Sequence, residues 1–252
     1  MIGVFDSGVG GLTVLREIRK RLPSADIVYF GDTKHAPYGL RSREELSRLT
    51  MEGLALLGKR GATSVVSACN SVSASLVVSL FDMLDLVPGH LIEMVGPTVS
   101  YLRDTDREIA LAATPATIDS GIYQNGFRMI GKEVKVVTIP ELAGAIEQGL
   151  PEADIERIIR AAFPPLERPP ELLVLACTHY PLVRSVFERV LGVSVYIFDP
   201  AVAVAERVER QFWPREAGKG TMRFITSKDS APLHSLVAQL FPDANPAFEV
   251  VE

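Results

Sequence analysis

Short apolar runs alternate along the chain with stretches whose apolar residues recur at helical spacing. Residues 2–5, 27–30, 64–68, 92–95, 109–112, 134–138, 172–176, 193–197 and 223–226 predict strands. Several are continuous apolar runs rather than alternating ones, as a sheet covered on both faces requires. Leu12, Leu15, Ile18 and Leu22 predict a helix over 12–22. Ile155, Ile158, Ile159 and Phe163 predict one over 154–163, Leu182, Val183, Val186, Phe187 and Val190 one over 181–190, and Val204, Val208 and Phe212 one over 201–212. Strand–helix alternation of this kind predicts an α/β fold with a largely parallel sheet.

The pattern also repeats. The opening Ile2–Ser7 matches Ile109–Thr114, Asp26–Tyr29 matches Glu133–Val136, and Val65–Ser71 matches Leu173–His179, all in the same order. Two similar α/β halves are expected, although strands of this class resemble one another without duplication. The first half ends near Pro88 to Pro97 and the second near Asp199 and Pro200. The remainder, to Glu252, is too short for a domain and is expected to pack back on the first half. The expected domains are 1–95 plus 205–252, and 96–204, with a cleft between them.

Composition narrows the function classes. The 252 residues carry a net charge of −5, which argues against nucleic acid or an anionic membrane as the main partner. No run of 18 apolar residues predicts a membrane span, and the opening Met-Ile-Gly-Val-Phe-Asp predicts a strand rather than a signal peptide. Two cysteines exclude a disulfide scaffold and fit a reducing compartment, so a cytoplasmic protein is expected.

Both cysteines follow an apolar strand and open a loop leading to a helix, the edge where open parallel sheets bind ligands. Asn70 and Ser71 follow Cys69; Thr178 and His179 follow Cys177. Buried inert thiols, or a disulfide between them, are the alternatives. Helix N-termini at this edge are expected to lower a nearby thiol's pKa, and His179 to hold or orient the proton of Cys177. Asp6-Ser7-Gly8-Val9-Gly10-Gly11 fits a nucleotide loop poorly, because Thr13 stands where a third glycine is needed and Leu12 where a phosphate-loop lysine is needed. Asp6 suits an amine, a base beside Cys69, or a helix cap. Phe30–Gly39 predicts a fixed loop in which Tyr38 and the Gly39 amide line a small polar pocket, or an ordinary turn. The four histidines form no helix-spaced pair and the cysteines no C-x-x-C, so no metal is expected. None of the seven lysines ends a strand as clearly as the cysteines do, so no pyridoxal phosphate is expected.

Five stretches together carry a resemblance: I-G-V-F-D-S-G-V-G-G-L-T-V-L at 2–15, F-G-D-T-K-H-A-P-Y-G at 30–39, A-C-N-S-V-S-A at 68–74, A-T-P-A-T-I-D-S-G-I-Y at 113–123 and A-C-T-H-Y-P-L at 176–182. In this order they resemble the aspartate/glutamate racemase superfamily, and within it the glutamate racemases. The resemblance implies two similar doubly wound, largely parallel-sheet α/β domains in pseudo-twofold relation, with an amino-acid substrate between them. It implies cofactor-independent racemisation of glutamate, supplying D-glutamate for peptidoglycan, by a homodimer. Aspartate as substrate, or a binding protein on an inactive racemase fold, are the alternatives.

The resemblance further implies that Cys69 and Cys177 are catalytic. Asp6 is expected to assist the first and His179 the second, with Glu147 in P-E-L-A-G-A-I-E a further catalytic match. Asp6, Ser7, Pro37, Tyr38, Gly39, Asn70, Ser71, Thr117, Thr178 and His179 fall on substrate-binding positions. Ser71 and Val72 stand where the family usually has Thr and Ala, and Asp199–Ala203 departs from a pattern that commonly has a serine after the aspartate; these changes bear on substrate fit. The chemistry agrees with the residue types. Inverting a stereocentre needs an acid/base group on each face of one carbon, and a thiol of modestly shifted pKa supplies both forms near neutral pH.

Overall fold

A computed structural model describes residues 1–73, 89–163, 169–244 and 246–251. Ala74, in one of the five stretches, and Pro88, at the expected boundary, lie outside them, as does Glu252. The first part of the chain runs β1 (Ile2–Asp6), α1 (Leu12–Arg21), β2 (Ile27–Gly31), α2 (Arg43–Lys59), β3 (Ser64–Ser67), α3 (Asn70–Ser73), β4 (Leu91–Ile92) and α4 (Val95–Tyr101). The second runs β5 (Ile109–Ala113), α5 (Pro115–Asp119), α6 (Ile122–Met129), β6 (Val134–Thr138), α7 (Leu142–Glu147), α8 (Glu152–Ala162), β7 (Leu172–Ala176), α9 (Arg184–Leu191) and β8 (Tyr196–Phe198). Then follow α10 (Pro200–Phe212), β9 (Met222–Thr226), α11 (Ala231–Leu240) and β10 (Ala247–Val250).

Among the described residues, β10-β9-β2-β1-β3-β4 form one sheet and β6-β5-β7-β8 another, with every pairing within them parallel. The order β2-β1-β3-β4 is repeated as β6-β5-β7-β8, so the pattern repeat in the sequence is a repeat of topology. β1, β2, β3, β5 and β7 are buried along their whole length, because helices cover both faces. Phe5, Val28, Leu46, Leu49 and Val65 pack on one face of the first sheet; Ile2, Val4, Leu15, Tyr29 and Val208 pack on the other. The second sheet is covered by Phe163, Val186 and Phe187 on one side and Tyr123, Phe127 and Val99 on the other. No helix among the described residues is long and apolar enough to cross a membrane.

Three boundaries differ from expectation by three residues, each for a local reason. The strand expected at 92–95 ends at Ile92, because the Glu93 carboxylate accepts from the Val95 and Gly96 amides and starts α4. The strand expected at 193–197 begins at Tyr196, after a turn in which Gly192 takes φ +85° and Val193 is fully exposed. The helix expected over 181–190 opens as a 3-10 turn at Tyr180–Val183, with Pro181 in its first turn, before α9.

Candidate active site

β1, β3 and β7 carry the site at their C-terminal ends. Cys69 follows β3 and Cys177 follows β7, and the two thiols are free, buried, and close enough for charge on one to act on the other. The disulfide alternative is therefore absent.

Around Cys69 the groups are hydroxyl and carboxyl. Its Sγ lies 3.7 Å from Ser7 Oγ. Asp6, the last residue of β1, is fully buried; its Oδ1 accepts from the Gly8 amide at 2.9 Å and its Oδ2 from Thr178 Oγ1 at 3.0 Å. Burial pushes the Asp6 carboxyl up, against the opposing pull of His179 and the Gly8 and Gly11 amides. Burial, joined by the charge of Asp6, pushes the Cys69 thiol up to about 12. The expected lowering at a helix N-terminus is thus reversed at Cys69. An apolar surround and a neighbouring carboxyl outweigh the amide of Val72.

Around Cys177 the groups are basic. Its Sγ lies 3.9 Å from His179 Nδ1, and His179 Nε2 lies 2.5 Å from Glu147 Oε2. Burial alone would lower the pKa of the imidazole, but the hydrogen bonds to Cys177 and Glu147 and the Glu147 charge hold it well above its ordinary value. These partners favour the protonated ring, which lies between a sulfur and a carboxylate. Glu147, at the end of α7, also accepts from the Val9 amide at 3.2 Å, which ties it to the first sheet's glycine loop.

That loop is where the two halves meet. A Cβ on Gly8 would stand 2.6 Å from the Glu147 carboxylate, and one on Gly10 would stand 2.5 Å from Thr178 Oγ1 and 2.6 Å from His179 Nδ1. Glycine is required here because the backbone of one half approaches the acid–base groups of the other. Thr13, where a nucleotide loop would have glycine, spends its hydroxyl on Gly10 O and approaches Thr178 O across the seam.

The other expected residues lie as follows. Tyr38 and Gly39 are buried in a 3-10 turn, Tyr38–Leu40, and Pro37 precedes it. Tyr38 OH donates to Asp32 Oδ2 at 2.5 Å, and Asp32 also accepts from Ser227 Oγ at 2.5 Å, so the segment after β9 steadies this loop. Ser71 Oγ is paired with Thr114 Oγ1 at 3.1 Å, and Thr114 Oγ1 with Thr117 Oγ1 at 3.2 Å, a hydroxyl chain from α3 to α5. Asn70 is buried; its Oδ1 accepts from Tyr123 OH at 2.6 Å and its Nδ2 has no partner. Val72 is buried in the same apolar cluster as Phe5, Phe30 and Tyr38. Asp199 caps α10 through the Ala201 amide at 2.9 Å, with Pro200 at the favoured first helical position.

The expected residues therefore gather along one seam. Sequence reasoning missed Asp32, Thr114 and Tyr123 as supports. The first stands in the F-G-D-T stretch and the other two in the 113–123 stretch, but their partners are remote in sequence. Among the described residues no group of three or more His, Cys, Asp and Glu is placed to hold a metal.

Comparison with known proteins bears on the family and the fold. The family described as Asp/Glu/hydantoin racemase matches residues 3–208. The chain is 33% identical to the glutamate racemase of Ruegeria sp. over 94% of its own length and 95% of that protein's. Its fold is similar to that of a glutamate racemase isoform from Bacillus anthracis, with a TM-score of 0.89 and 29% identity over 100% of this chain and 97% of that one. It is also similar to the Francisella tularensis glutamate racemase solved in complex with D-glutamate, with a TM-score of 0.86 and 25% identity over 100% and 97%. With the family model matched over most of its length and curated relatives matched almost end to end, the chain belongs to the Asp/Glu/hydantoin racemase family of isomerases.

Proposed function

We propose that this protein interconverts L- and D-glutamate, with Cys69 and Cys177 as the acid and base on opposite faces of the α-carbon. The observation that carries the reading is the pair of buried free thiols at equivalent strand ends, each with its own acid–base neighbour. One sulfur, as thiolate, takes the α-proton and becomes a thiol; the electron pair is left on carbon. The other thiol gives its proton to the opposite face and becomes a thiolate. The roles exchange with direction.

His179, its ring paired with Glu147, faces the Cys177 sulfur and is placed to hydrogen-bond with it and orient it. Asp6 and Ser7 serve the Cys69 side. A substrate ammonium entering beside Asp6 opposes the burial that raises Cys69, and so brings that thiol toward usable acidity. Asn70 Nδ2, buried without a partner, suits a substrate carboxylate. Tyr38, Gly39, Ser71, Thr117, Thr178 and Pro37 complete the proposed substrate surround. The Ruegeria relative and both structural neighbours are glutamate racemases, which favours glutamate over aspartate.

In the cell the reaction supplies D-glutamate for peptidoglycan from the cytoplasm, and the working form is a homodimer. The division into 1–95 plus 205–252 and 96–204 accords with the two sheets. The test incubates purified protein with single L-amino acids, no cofactor added, and follows circular dichroism. L-glutamate is expected to lose its optical activity and L-aspartate to keep it. Turnover of aspartate alone would replace the substrate, and folded protein inert toward every amino acid would overturn the reading. Light scattering decides the dimer.

A further inference from the structure

Asn70 is the first residue of α3, directly after Cys69, and is buried. Its carboxamide has two different ends and the structure treats them differently. The oxygen accepts a 2.6 Å hydrogen bond from Tyr123 OH, whereas the nitrogen, equally buried, has no partner. A carboxamide can turn over and exchange its ends, so something must choose. Tyr123 does so from the opposite half. It lies on α6, is fully buried, stacks on Phe127 at 6.5 Å, and belongs to the core of the second sheet, so its ring is fixed by packing independent of Asn70. Burial pushes the phenol pKa up, which keeps it a proton donor throughout the working range. A donor there holds the oxygen end of the carboxamide and turns the NH2 group away. Two buried N–H donors with no acceptor are costly, and a ligand carboxylate is the group that relieves them.

We propose that Tyr123 is a positioning residue for substrate, supplied by the half that carries Cys177, which fixes the Asn70 carboxamide so that its NH2 group faces a substrate carboxylate beside Cys69. This rests on the reading of the site as one for an acidic amino acid. It also makes the binding surface next to one thiol depend on the other half.

Tyr123→Phe removes the hydroxyl and keeps the ring, so the core is conserved. KM for glutamate is expected to rise about tenfold, with kcat changed less than about threefold and the pH profile unmoved. Asn70→Ala is expected to raise KM at least as much, and combining the two to add little, because both remove one interaction. A KM near wild type in Tyr123→Phe, or additive effects in the double variant, overturns the inference. A purely structural role would lower the melting temperature and leave KM in place. A second readout does not need turnover. In protein labelled with 15N-asparagine and without ligand, the Asn70 NH2 resonances are expected at one fixed pair of chemical shifts, which move or broaden in Tyr123→Phe. Identical signals in both proteins overturn the proposal. Wild-type protein that leaves glutamate untouched overturns the substrate reading instead, and the resonances still decide the role of Tyr123.

Discussion

The two thiols sit in halves of the same topology, yet their surroundings are opposite in chemistry. Asp6 ends β1 where Ala113 ends β5, and the matched sequence segments set Ser71 opposite His179. Cys69 therefore faces a hydroxyl and a carboxyl and is pushed up to about 12, while Cys177 faces an imidazole backed by Glu147. A repeated fold supplies two equivalent positions; the residues that fill them set one sulfur beside a hydroxyl and a carboxyl and the other beside an imidazole. An enzyme that inverts a centre gains from this inequality, since at any moment it needs one group protonated and the other not.

The comparison breaks most sharply at the sulfurs. Cys69→Ser and Cys177→Ser are each expected to lower racemisation about a thousandfold or more, with melting temperatures within a few degrees of wild type. A variant that keeps near-wild-type turnover would make that cysteine a packing residue. The next effect belongs to the neighbours. His179→Asn and Asp6→Asn are each expected to lower kcat about 10- to 100-fold. Enantiomers have equal free energy, so kcat/KM stays equal in the two directions whatever is substituted. The inequality must appear instead in isotope effects. With α-deuterated glutamate, His179→Asn is expected to enlarge the effect in the direction where Cys177 takes the proton and shrink it in the other. Asp6→Asn should do the reverse. The same response from both variants would remove the division of labour.

Smaller effects follow at the seam and in stability. Gly10→Ala places a methyl against Thr178 and His179 and is expected to lower kcat about tenfold, with a lower melting temperature. Unchanged kcat would mean the loop yields without moving His179. The raised pKa of His179 also sets a pH trend. A histidine whose folded pKa lies above its unfolded value of about 6.5 contributes stability that is full below that value and is lost as pH rises through the folded one. The margin in melting temperature of wild type over His179→Asn should therefore narrow from about pH 6 toward alkaline pH. A margin that widens would mean the imidazole is buried neutral.

Much of this was legible in the residues. Several of the inner strands read as continuous apolar runs because helices cover both faces, and the repeat in pattern became a repeat in strand order. α2 escaped notice because its buried face includes Thr50 and Gly53, which dilute the apolar period, although Ser42 and Glu45 form a capping box at its start. β10 escaped because it is an exposed edge strand of four residues with no buried run. The residues of the proposed site stand at strand ends and in the motif stretches. Their pairing was not, because Asp6 with Thr178, Glu147 with Val9, and Asn70 with Tyr123 are contacts between distant segments. The direction of the Cys69 shift was misjudged for the same reason, since burial is a property of the assembled core.

The polypeptide leaves the first sheet after β4, builds the second, and returns after β8 to add β9 and β10. Two covalent crossings join the lobes. A pair of tethers leaves rotation about the line through them as the easy relative movement, as in a clamshell, and resists twist or sliding. A hinge of that kind would bring the two sulfurs back to one alignment after each entry of the proposed substrate.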